Sequence, residues 1–396
     1  MKTYIELHQQ LKDEGYFERI ALDPTAQFGS EQQPFLGARY LPEILVSENA
    51  YSETQIRWRT QPALDGTRYS PVQMQRGGTL MGEFKVDLGN TDTGDEMTGQ
   101  DHDGLIKLLN QDRDMEGIAQ VMRWADNSLL RPHLIKNELQ RWQAIVLGQV
   151  TRNGSEGYTE TVNYHQPAGH RPEVLGGTTG SPAGWYLDTY DPFDDIFAGK
   201  EKLASLGFEV SDIICNANLM ATLRGNATVA TRTSMVRVND SGQIRGTTGY
   251  VSNATINQAL ADNDLPPVTV YNAGYQTPTG FLRFLDLSDT HDYFIMLGRT
   301  TRQWDLVTDF STRAEPGSGT FDRDAIDPGS LTINSTLGYY GVGRNVGSSG
   351  SGRTIFTMTQ DKKPKGYYGE AYQAGLPVVT EPEAIYVIRV KRPTAS

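Results

Sequence analysis

The sequence predicts an α+β protein with more than one packing unit. Three observations predict it: a chain of 396 residues, a pair of strand-like segments between residues 51 and 84, and a helical period of apolar residues between 115 and 146. At roughly 150 residues per domain, the length allows about two or three packing units. A chain of this size can bury sizeable cores without disulfides.

The composition excludes several classes of protein. The formal charge of −12 argues against a protein that coats nucleic acid with its whole surface, because such proteins neutralise phosphates with excess Lys and Arg. The single cysteine, Cys215, excludes an intrachain disulfide framework and a multi-thiolate metal site; its apolar neighbours predict a buried strand position. No stretch approaches the roughly 20 apolar residues that span a bilayer, and the first residues lack the apolar region of a secretory signal. We therefore expect a soluble protein made in the cytoplasm, without a membrane partner.

The first 50 residues give the weakest local signals. Residues 1–34 are acidic and show no clean hydrophobic period, which predicts a short helix followed by an irregular arm. Such an arm alone would bury too little surface to offset the entropy of ordering. Residues 35–50 mix apolar and turn residues.

Residues 51–84 predict a long β-hairpin. Residues 54–60 and 72–76 alternate with the strand period of two, Pro62 and Pro71 mark the turn between them, and Gly77-Gly78 follow. Residues 52–76 hold four arginines against two acidic residues. Because a lone two-stranded hairpin is marginally stable in water, we expect it to lie on another copy of the protein.

Two roles fit the basic character of this hairpin. As an assembly strap it would place arginines against acidic patches of neighbouring copies, and as a nucleic-acid ribbon it would place them in a groove. The acidic chain supplies partners for the strap, which we favour. The candidate contact residues are Arg57, Trp58, Arg59, Arg68, Tyr69 and Arg76.

Residues 101–149 predict one long or kinked helix. Apolar residues recur at steps of three and four, and Pro132 stands where a second helix can begin, because proline fits the first helical turn. The predicted packing residues are Met122, Leu139, Trp142 and Val146. The charged residues expected on the solvated face are Lys136, Glu138 and Arg141.

The remaining chain predicts a mixed α/β lobe between two glycine-rich stretches. Residues 176–184 predict a linker between lobes, and residues 341–352 a flexible loop. The signals inside the lobe are helix starts at Asp191-Pro192, Asn216 and Ser252, a helix end at Gly207, and strands around residues 210–215, 268–271 and 293–297. The last strand, 384–390, is expected to return to the first lobe.

No residue pattern supports catalysis, a metal site or a cofactor, and we expect none of them. The sequence contains no phosphate-binding loop, HExxH, GxSxG or EF-hand pattern. The six histidines lack ligand spacing and are expected on the surface or in loops. Asp191, Asp194 and Asp195 fall in a first helical turn, where capping explains them better than acid–base chemistry does.

Three short stretches carry a family resemblance: residues 189–196 (TYDPFDDI), 293–302 (YFIMLGRTTR) and 372–385, which contain YQAGLPVV and EPEAI. Together with the order of arm, hairpin, long helix, α/β lobe and terminal strand, they resemble the phage major capsid proteins of the Hong Kong 97 fold. The likeness is to the lambda-type major capsid protein E family.

The resemblance implies a Hong Kong 97-type capsid fold. Its parts would be an N-terminal arm (1–34), an extended loop (51–84), a peripheral lobe (35–50, 85–184 and 301–396) with a spine helix at about 101–149, and an α/β axial lobe (185–300). Residues 322–352 look longer than a minimal member needs, as an insertion with its own contacts would. Some relatives cross-link through a lysine of the extended loop, but residues 51–84 contain no lysine.

The resemblance also implies the function. It is that of a viral structural protein which self-assembles into the icosahedral head of a tailed bacteriophage around double-stranded DNA. The implied partners are further copies in hexamers and pentamers, scaffold, portal and cementing or decoration proteins, and packaged DNA through weak non-specific contact. The implied location is the virion, after assembly in the host cytoplasm.

Two alternatives stay open. A glycan-binding or glycan-cleaving β-rich protein is suggested by the Tyr, Trp and Gly content, and for cleavage it would need two facing carboxylates. A phage tail-tube or decoration protein also self-assembles, usually with less α/β content.

Overall fold

A computed structural model of the chain describes residues 3–17, 35–45, 50–59, 78–97, 100–111, 113–153, 159–233, 251–300, 307–309, 337–345, 352–360 and 366–394. The chain divides into two compact units. The first comprises Met1–Arg141, Trp304–Ile333 and Gly338–Val378, and the second comprises Trp142–Gln303, Asn334–Leu337 and Val379–Ser396.

The α-helices of the described residues are α1 (Tyr4–Asp13), α2 (Gly37–Tyr40), α3 (Gln100–Asn110), α4 (Asp114–Trp124), α5 (Arg131–Trp142), α6 (Pro192–Ser205), α7 (Ala217–Gly225), α8 (Ala227–Thr233) and α9 (Asn253–Ala261). The strands are β1 (Glu43–Leu45), β2 (Ala50–Arg59), β3 (Gly78–Asp87), β4 (Gly89–Met97), β5 (Gln149–Asn153), β6 (Thr159–Asn163), β7 (Glu173–Val174), β8 (Gly177–Thr178), β9 (Ser181–Pro182), β10 (Phe208–Cys215), β11 (Val268–Val270), β12 (Gly274–Thr277), β13 (Gly280–Arg283), β14 (His291–Thr300), β15 (Val307–Asp309), β16 (Gly338–Gly343), β17 (Thr354–Gln360), β18 (Gly366–Val379) and β19 (Ile385–Lys391).

The N-terminal helix α1 packs on its own unit. A capping box starts it: the Thr3 hydroxyl accepts a hydrogen bond from the Glu6 amide at 3.3 Å, and the Glu6 carboxylate accepts one from the Thr3 amide at 2.7 Å. Leu7 and Leu11 are fully buried in the core of the first unit. The predicted short helix is confirmed as α1, and Leu7 and Leu11 give it an apolar stripe at helical spacing, although no clean hydrophobic period was expected here. Residues 18–34 lie outside the described residues.

The predicted spine helix is interrupted earlier than expected. Helix α3 ends at Asn110 and α4 begins at Asp114, after which the chain stays helical to Leu147. Gly148, with a φ of +63°, ends the helix, because glycine adopts the left-handed conformation without steric cost.

Pro132 is the second residue of α5 (Arg131–Trp142), which agrees with the prediction that a helical segment can begin there within one long or kinked helix. The turn before it, Ala125–Leu130, is π-helical, and the Arg131 amide donates to the carbonyl of Asp126. A wider π turn is a known local adjustment inside an α-helix. Here it lets the helix run through a residue that has no amide hydrogen.

The first unit is built on a sheet in the order β1-β16-β18-β17, with β4 also paired to β18. Strand β1 pairs parallel with β16, and β4 pairs antiparallel with β18 from Met97↔Tyr367 to Gly375↔Gly89. All six residues of β16 are buried. The prediction of a flexible loop at 341–352 is therefore wrong for residues 341–343, because glycines here let the strand lie within the core.

The second unit is built on a sheet in the order β11-β10-β14-β19-β7. Helix α6 packs on β10 and β19, and α7 packs on β14. The final strand β19 pairs antiparallel with β14 from His291↔Lys391 to Leu297↔Ile385. The prediction that the last strand returns to the first lobe is wrong. Residues 385–388 are all buried, and a run of apolar residues suits an interior strand that is covered on both faces.

The second unit also includes residues that were predicted for the peripheral lobe. The chain changes unit at Trp142, so that residues 142–184 belong with the central sheet. The predicted linker at 176–184 is the short hairpin β8–β9, and the Thr179 amide donates to the Thr394 carbonyl at 3.0 Å. A Cβ atom at Gly176 would lie 2.0 Å from the carbonyl oxygen of Lys391. These glycines permit a close backbone approach and do not form a free linker.

The helix starts of the second unit agree with their sequence signals. Asp191, Asn216 and Ser252 each accept a hydrogen bond from an amide in the first turn of α6, α7 and α9. Gly207, with a φ of +81°, follows α6. Cys215, at the end of β10, is fully buried, as expected.

Candidate functional site

The strands β2 and β3 form a long antiparallel hairpin in the first unit, in the region where the sequence predicts one. It pairs ten residues of each strand without a bulge, from Ala50↔Asp87 to Arg59↔Gly78. At about 3.3 Å per residue each strand is about 33 Å long. Strand β15 pairs antiparallel with β2 from Val307↔Arg57 to Asp309↔Gln55, which gives a three-stranded ribbon in the order β15-β2-β3.

The backbone register brings three of the predicted contact residues together. Arg57, Trp58 and Arg59 are consecutive in β2, opposite Leu80, Thr79 and Gly78. Because the side-chain period of a strand is two, Arg57 and Arg59 belong to one face of the ribbon and Trp58 to the other. Strand β3 begins at Gly78. The prediction instead placed Gly77-Gly78 after the end of the second strand. The residues predicted for the second strand, 72–76, and the candidates Arg68, Tyr69 and Arg76 lie outside the described residues.

The four predicted packing residues of the spine helix differ in burial. Trp142 and Val146 are fully buried in the second unit, and the Trp142 ring lies 5.4 Å from that of Tyr271 between centroids. Met122 is partly buried against the core of the first unit, and Leu139 is half-buried. The expected stripe is shifted, since Val121 is buried and Met115 is 76% exposed.

The same helix carries a buried ionic cluster where a solvated face was predicted. The side chain of Arg141 is 3% exposed, and that of Glu138 is completely buried. The Arg141 guanidinium lies 3.5 Å from the Glu138 carboxylate and 3.2 Å from the Glu43 carboxylate of β1. The Glu138 carboxylate also accepts a hydrogen bond from the Gly37 amide at 2.8 Å. The prediction for Glu138 and Arg141 is therefore wrong: buried charges persist where partners and hydrogen bonds surround them. Lys136 is half-buried.

A second arginine completes the cluster. Arg353 binds both oxygens of the Glu43 carboxylate at 2.6 Å and donates to the side chain of Gln373 at 2.7 Å. Gln373 in turn donates to Asn137 on α5 at 2.7 Å. Two of these contacts join distant parts of the chain: Arg353 and Glu43 are 310 positions apart, and Gln373 and Asn137 are 236 positions apart. We call Glu43, Asn137, Glu138, Arg141, Arg353 and Gln373 the buried ionic cluster.

The electrostatics of Glu43 follow from this setting. Burial alone would raise the pKa of the Glu43 carboxyl, but Arg353 and Arg141 outweigh it and hold that pKa below its ordinary value. Glu43 therefore stays ionised, as an anion between two guanidinium groups. The contacts of the cluster fix α5 against β1 and β18 within the first unit.

A buried histidine lies near the cluster on the same helix. The His133 ring contacts the hydroxyls of Thr93 and Thr91 at 2.9 and 3.2 Å and the carbonyl of Ala371 at 3.2 Å. Burial lowers the pKa of His133 to about 4. The imidazole is therefore neutral at physiological pH, where its contacts join α5 to β4 and β18.

We expect acid to destabilise the first unit through His133. The folded pKa of about 4 lies below the ordinary 6.5, so the unfolded state binds the proton first, and stability falls as pH falls through this window. Between pH 7.5 and 5 the loss is about 2 kcal/mol. Urea unfolding at both pH values should show a decline smaller by that amount for His133→Gln. Equal declines in the two proteins would contradict the assignment.

The other titratable candidates have structural roles. His8, His102 and His133 are buried in helices, so the prediction of histidines on the surface or in loops is wrong for these three. His170 is buried but lies in a loop, and His165 is exposed. Asp191 and Asp194 both pair with Arg232, and Asp195 accepts hydrogen bonds from the indole of Trp185 at 2.7 Å and the hydroxyl of Tyr190 at 2.8 Å. These three carboxylates therefore cap a helix or bind neighbouring side chains.

Two searches over the described ranges bear on alternative sites. In those ranges, no three His, Cys, Asp or Glu side chains come together as metal ligands would. Among the same residues, no helix combines the length and the apolar character that crossing a bilayer requires.

The sequence interpretation missed one exposed face of the first sheet. Phe356 and Met358 of β17 are 48% and 44% exposed, and opposite them on β18 lie Glu370 and Tyr368. The hydroxyls of Tyr368 and Tyr372 both donate to the Glu370 carboxylate. The alternation of Tyr368, Glu370 and Tyr372 at every second position was the available signal.

Comparisons with known proteins place the fold. No family model matches the chain, and no curated protein matches its sequence. Among solved structures, a protein assigned as a prophage capsid protein from E. coli CFT073 is 14% identical and covers 96% of this chain and 98% of its own, with a TM-score of 0.52.

Two further solved structures align at lower scores. A phage-related protein from Bordetella bronchiseptica RB50 is 13% identical and covers 93% of this chain and 96% of its own, with a TM-score of 0.49. The mature capsid of bacteriophage PhiM1 is 8% identical and covers 91% and 88%, with a TM-score of 0.40. The likeness to the prophage protein extends over nearly the whole of both chains, and it confirms the predicted fold class: this chain has an α+β fold of the Hong Kong 97 capsid type.

Proposed function

We propose that this protein is the major capsid protein of a tailed bacteriophage. The likeness to the prophage capsid protein over 96% of this chain carries the proposal. Under it, copies of the chain assemble into hexamers and pentamers of an icosahedral shell around double-stranded DNA. The protein is then a structural component of the virion, assembled in the host cytoplasm, and has no enzymatic activity. Membership of the lambda-type family is part of the same proposal.

The long ribbon supports an assembly role. Among the described residues, the ten-residue strands β2 and β3 pair with each other along their whole length. The one further strand that pairs with them there is β15, at residues 55–57 of β2. A ribbon of this length gains stability when a further surface covers it. In a closed shell each subunit repeats the same contacts, so that modest interfaces add up over the assembly.

The remaining partners follow from the same proposal. Packaged DNA would contact an acidic shell protein weakly and without sequence preference, since a net charge of −12 disfavours tight binding to phosphates. A portal, a scaffold and cementing or decoration proteins would be the other partners of such a shell.

Electron microscopy of the purified full chain tests the function. We expect closed shells, alone or after co-expression with the neighbouring structural genes of its phage. Tubes of uniform diameter would favour the tail-tube alternative. A monomer that binds soluble oligosaccharides in a calorimetric titration would favour the glycan-binding alternative and overturn the proposal.

A further inference from the structure

Helix α1 covers an apolar socket of the first unit, where it packs on α3, α4 and β17. Its side chains Leu7 and Leu11 are fully buried. Leu105 and Leu109 of α3 and Val121 of α4 belong to the same core, and we call these three residues the socket. Because an isolated helix of ten residues is marginally stable in water, α1 depends on its contacts with the unit to stay helical.

A histidine lies on the buried side of α1. His8 is 7% exposed, and its Nε2 atom lies 3.0 Å from the hydroxyl oxygen of Thr357 on β17. The centroid of its ring is 5.4 Å from that of Tyr367 on β18 and 6.0 Å from that of Phe17. A titratable group therefore lies between the helix and the sheet, beside two aromatic rings.

The groups that face His8 disfavour a positive charge on it. Thr357 is neutral, and burial raises the pKa of the Tyr367 phenol, which is neutral as well. Burial, and after it the like charge of Lys12 one turn further along α1, lower the pKa of His8, while the contact with Thr357 opposes this shift. Among the residues that the structure describes, no carboxylate forms an ion pair with His8. The imidazole is therefore neutral at physiological pH.

The start of α1 is held by two further contacts. The Tyr367 hydroxyl donates to the Tyr4 carbonyl at 2.6 Å, and the ring of His102 on α3 meets that of Tyr4 edge to face at 5.0 Å between centroids. On the side of α4, a Cβ atom at Gly117 would lie 3.6 Å from Leu7. The contacts of α1 with the unit are thus apolar or between neutral groups, and the pair of His8 and Thr357 belongs to them.

A proton on docked His8 would place a charge against the apolar core without a counter-ion, which is costly. Detachment of α1 brings the imidazole into water, where it binds the proton with its ordinary affinity. We propose that α1 is an acid-released helix: protonation of His8 detaches residues 4–13 from the socket while the sheet of the first unit stays folded. The device makes the exposure of an apolar surface depend on pH. This inference goes beyond the proposed function and does not depend on it.

The direction of the pH dependence follows from linkage. The detached state has the higher pKa for His8, so it binds the proton first, and detachment becomes more favourable as pH falls below about 6.5. A histidine that stays neutral while docked raises the equilibrium for detachment about 30-fold between pH 7.5 and 5. For a docked pKa that is lowered by about one unit or more, the increase is about ten-fold or larger.

Hydrogen exchange of the full, unassembled chain tests the release. After correction for the intrinsic exchange rate at each pH, the amide protection of peptides from α1 is expected to fall about ten-fold or more from pH 7.5 to 5. Peptides from β18 report opening of the sheet and should stay better protected than α1 at both pH values. Unchanged protection of α1, or equal protection of α1 and β18 at pH 5, would overturn the proposal. This measurement on the unaltered chain requires no variant.

Moving the histidine to the other side of the helix gives a matched variant. His8→Gln/Gln9→His keeps the composition of α1 and places the imidazole at an exposed position. The glutamine at position 8 retains a polar group for Thr357 but does not titrate. The acid response of α1 should then fall below about three-fold, whereas His133→Gln should leave it unchanged. A full response in the first variant, or its loss in the second, would exclude His8 as the trigger.

A second variant covers the case in which this exchange prevents docking at neutral pH. Lys12→Gln alters an exposed residue and leaves the docking contacts in place. Without the like charge of Lys12, docked His8 binds a proton more readily, so the difference between the docked and detached states shrinks. The acid response of α1 should therefore be smaller than in the unaltered chain. An equal or larger response would contradict the assignment to His8.

Discussion

Replacing Arg57 and Arg59 with glutamate is expected to prevent shell assembly while the unassembled subunit stays folded. The two residues share one face of a ribbon whose strands pair over ten residues. Like charges at an interface cost several kcal/mol, and a cost of about 3 kcal/mol weakens each contact about 100-fold. Because each subunit repeats the contact, the effect on assembly is cumulative. Electron microscopy and sedimentation velocity measure the loss of shells, and far-ultraviolet circular dichroism measures the fold.

The control for this double variant is Arg113→Glu/Arg123→Glu, which changes the net charge equally at exposed positions of the same unit. It should form shells in normal yield. Normal shells from Arg57→Glu/Arg59→Glu would exclude the ribbon as an electrostatic strap. Substitution of both residues by lysine separates charge from geometry, since lysine keeps the charge but cannot form the bidentate contacts of arginine.

Replacing Arg141 with methionine is expected to lower the free energy of unfolding of the subunit by about 3–5 kcal/mol. The guanidinium lies between the carboxylates of Glu138 and Glu43 and also donates to the carbonyl of Leu41 at 2.9 Å. Methionine fills similar space but leaves the buried Glu138 carboxylate and the partly exposed Glu43 carboxylate with less compensation. Urea unfolding of the unassembled subunit measures the change.

The matched control is Arg113→Met, since Arg113 pairs with Glu116 on the surface and both side chains are about half exposed. Exposed ion pairs contribute about 0–1 kcal/mol, so this variant should unfold at nearly the unaltered urea concentration. If the two variants lose similar stability, the buried ionic cluster is not a major contributor to the stability of the first unit.

Local signals in the sequence predicted the second unit better than the first. The caps at Asp191, Asn216 and Ser252 act within four residues of the helix start, so a single sequence is enough to recognise them. The same holds for the alternation around Arg57 and Arg59, which predicted a strand before its partner was known.

Long-range pairing could not be predicted in this way. The charge of Arg141 gives no indication that Glu43 and Arg353, far away in the chain, surround it. Charged side chains lie on the surface more often than in the interior, but tertiary contacts bury this arginine. The strand β16 was not predicted for the same reason, since its glycines suit both a loop and a tightly packed core strand.

The ribbon was predicted from the sequence, whereas the exposed face of the first sheet was not. The arginines of the ribbon were visible as an excess of charge, whereas Tyr368, Glu370 and Tyr372 became a surface only through their register with β17 and β4. A single strand with a period of two does not reveal which of its faces remains in solvent.

The interior position of β19 has a consequence for biosynthesis. The ribosome delivers β10 and β14 long before β19, yet β19 lies between β14 and β7 in the finished sheet. Until β19 has been synthesised, β14 and β7 therefore have an unfilled gap between them. A chain that stops before β19 would lack this strand and could not complete the sheet of the second unit.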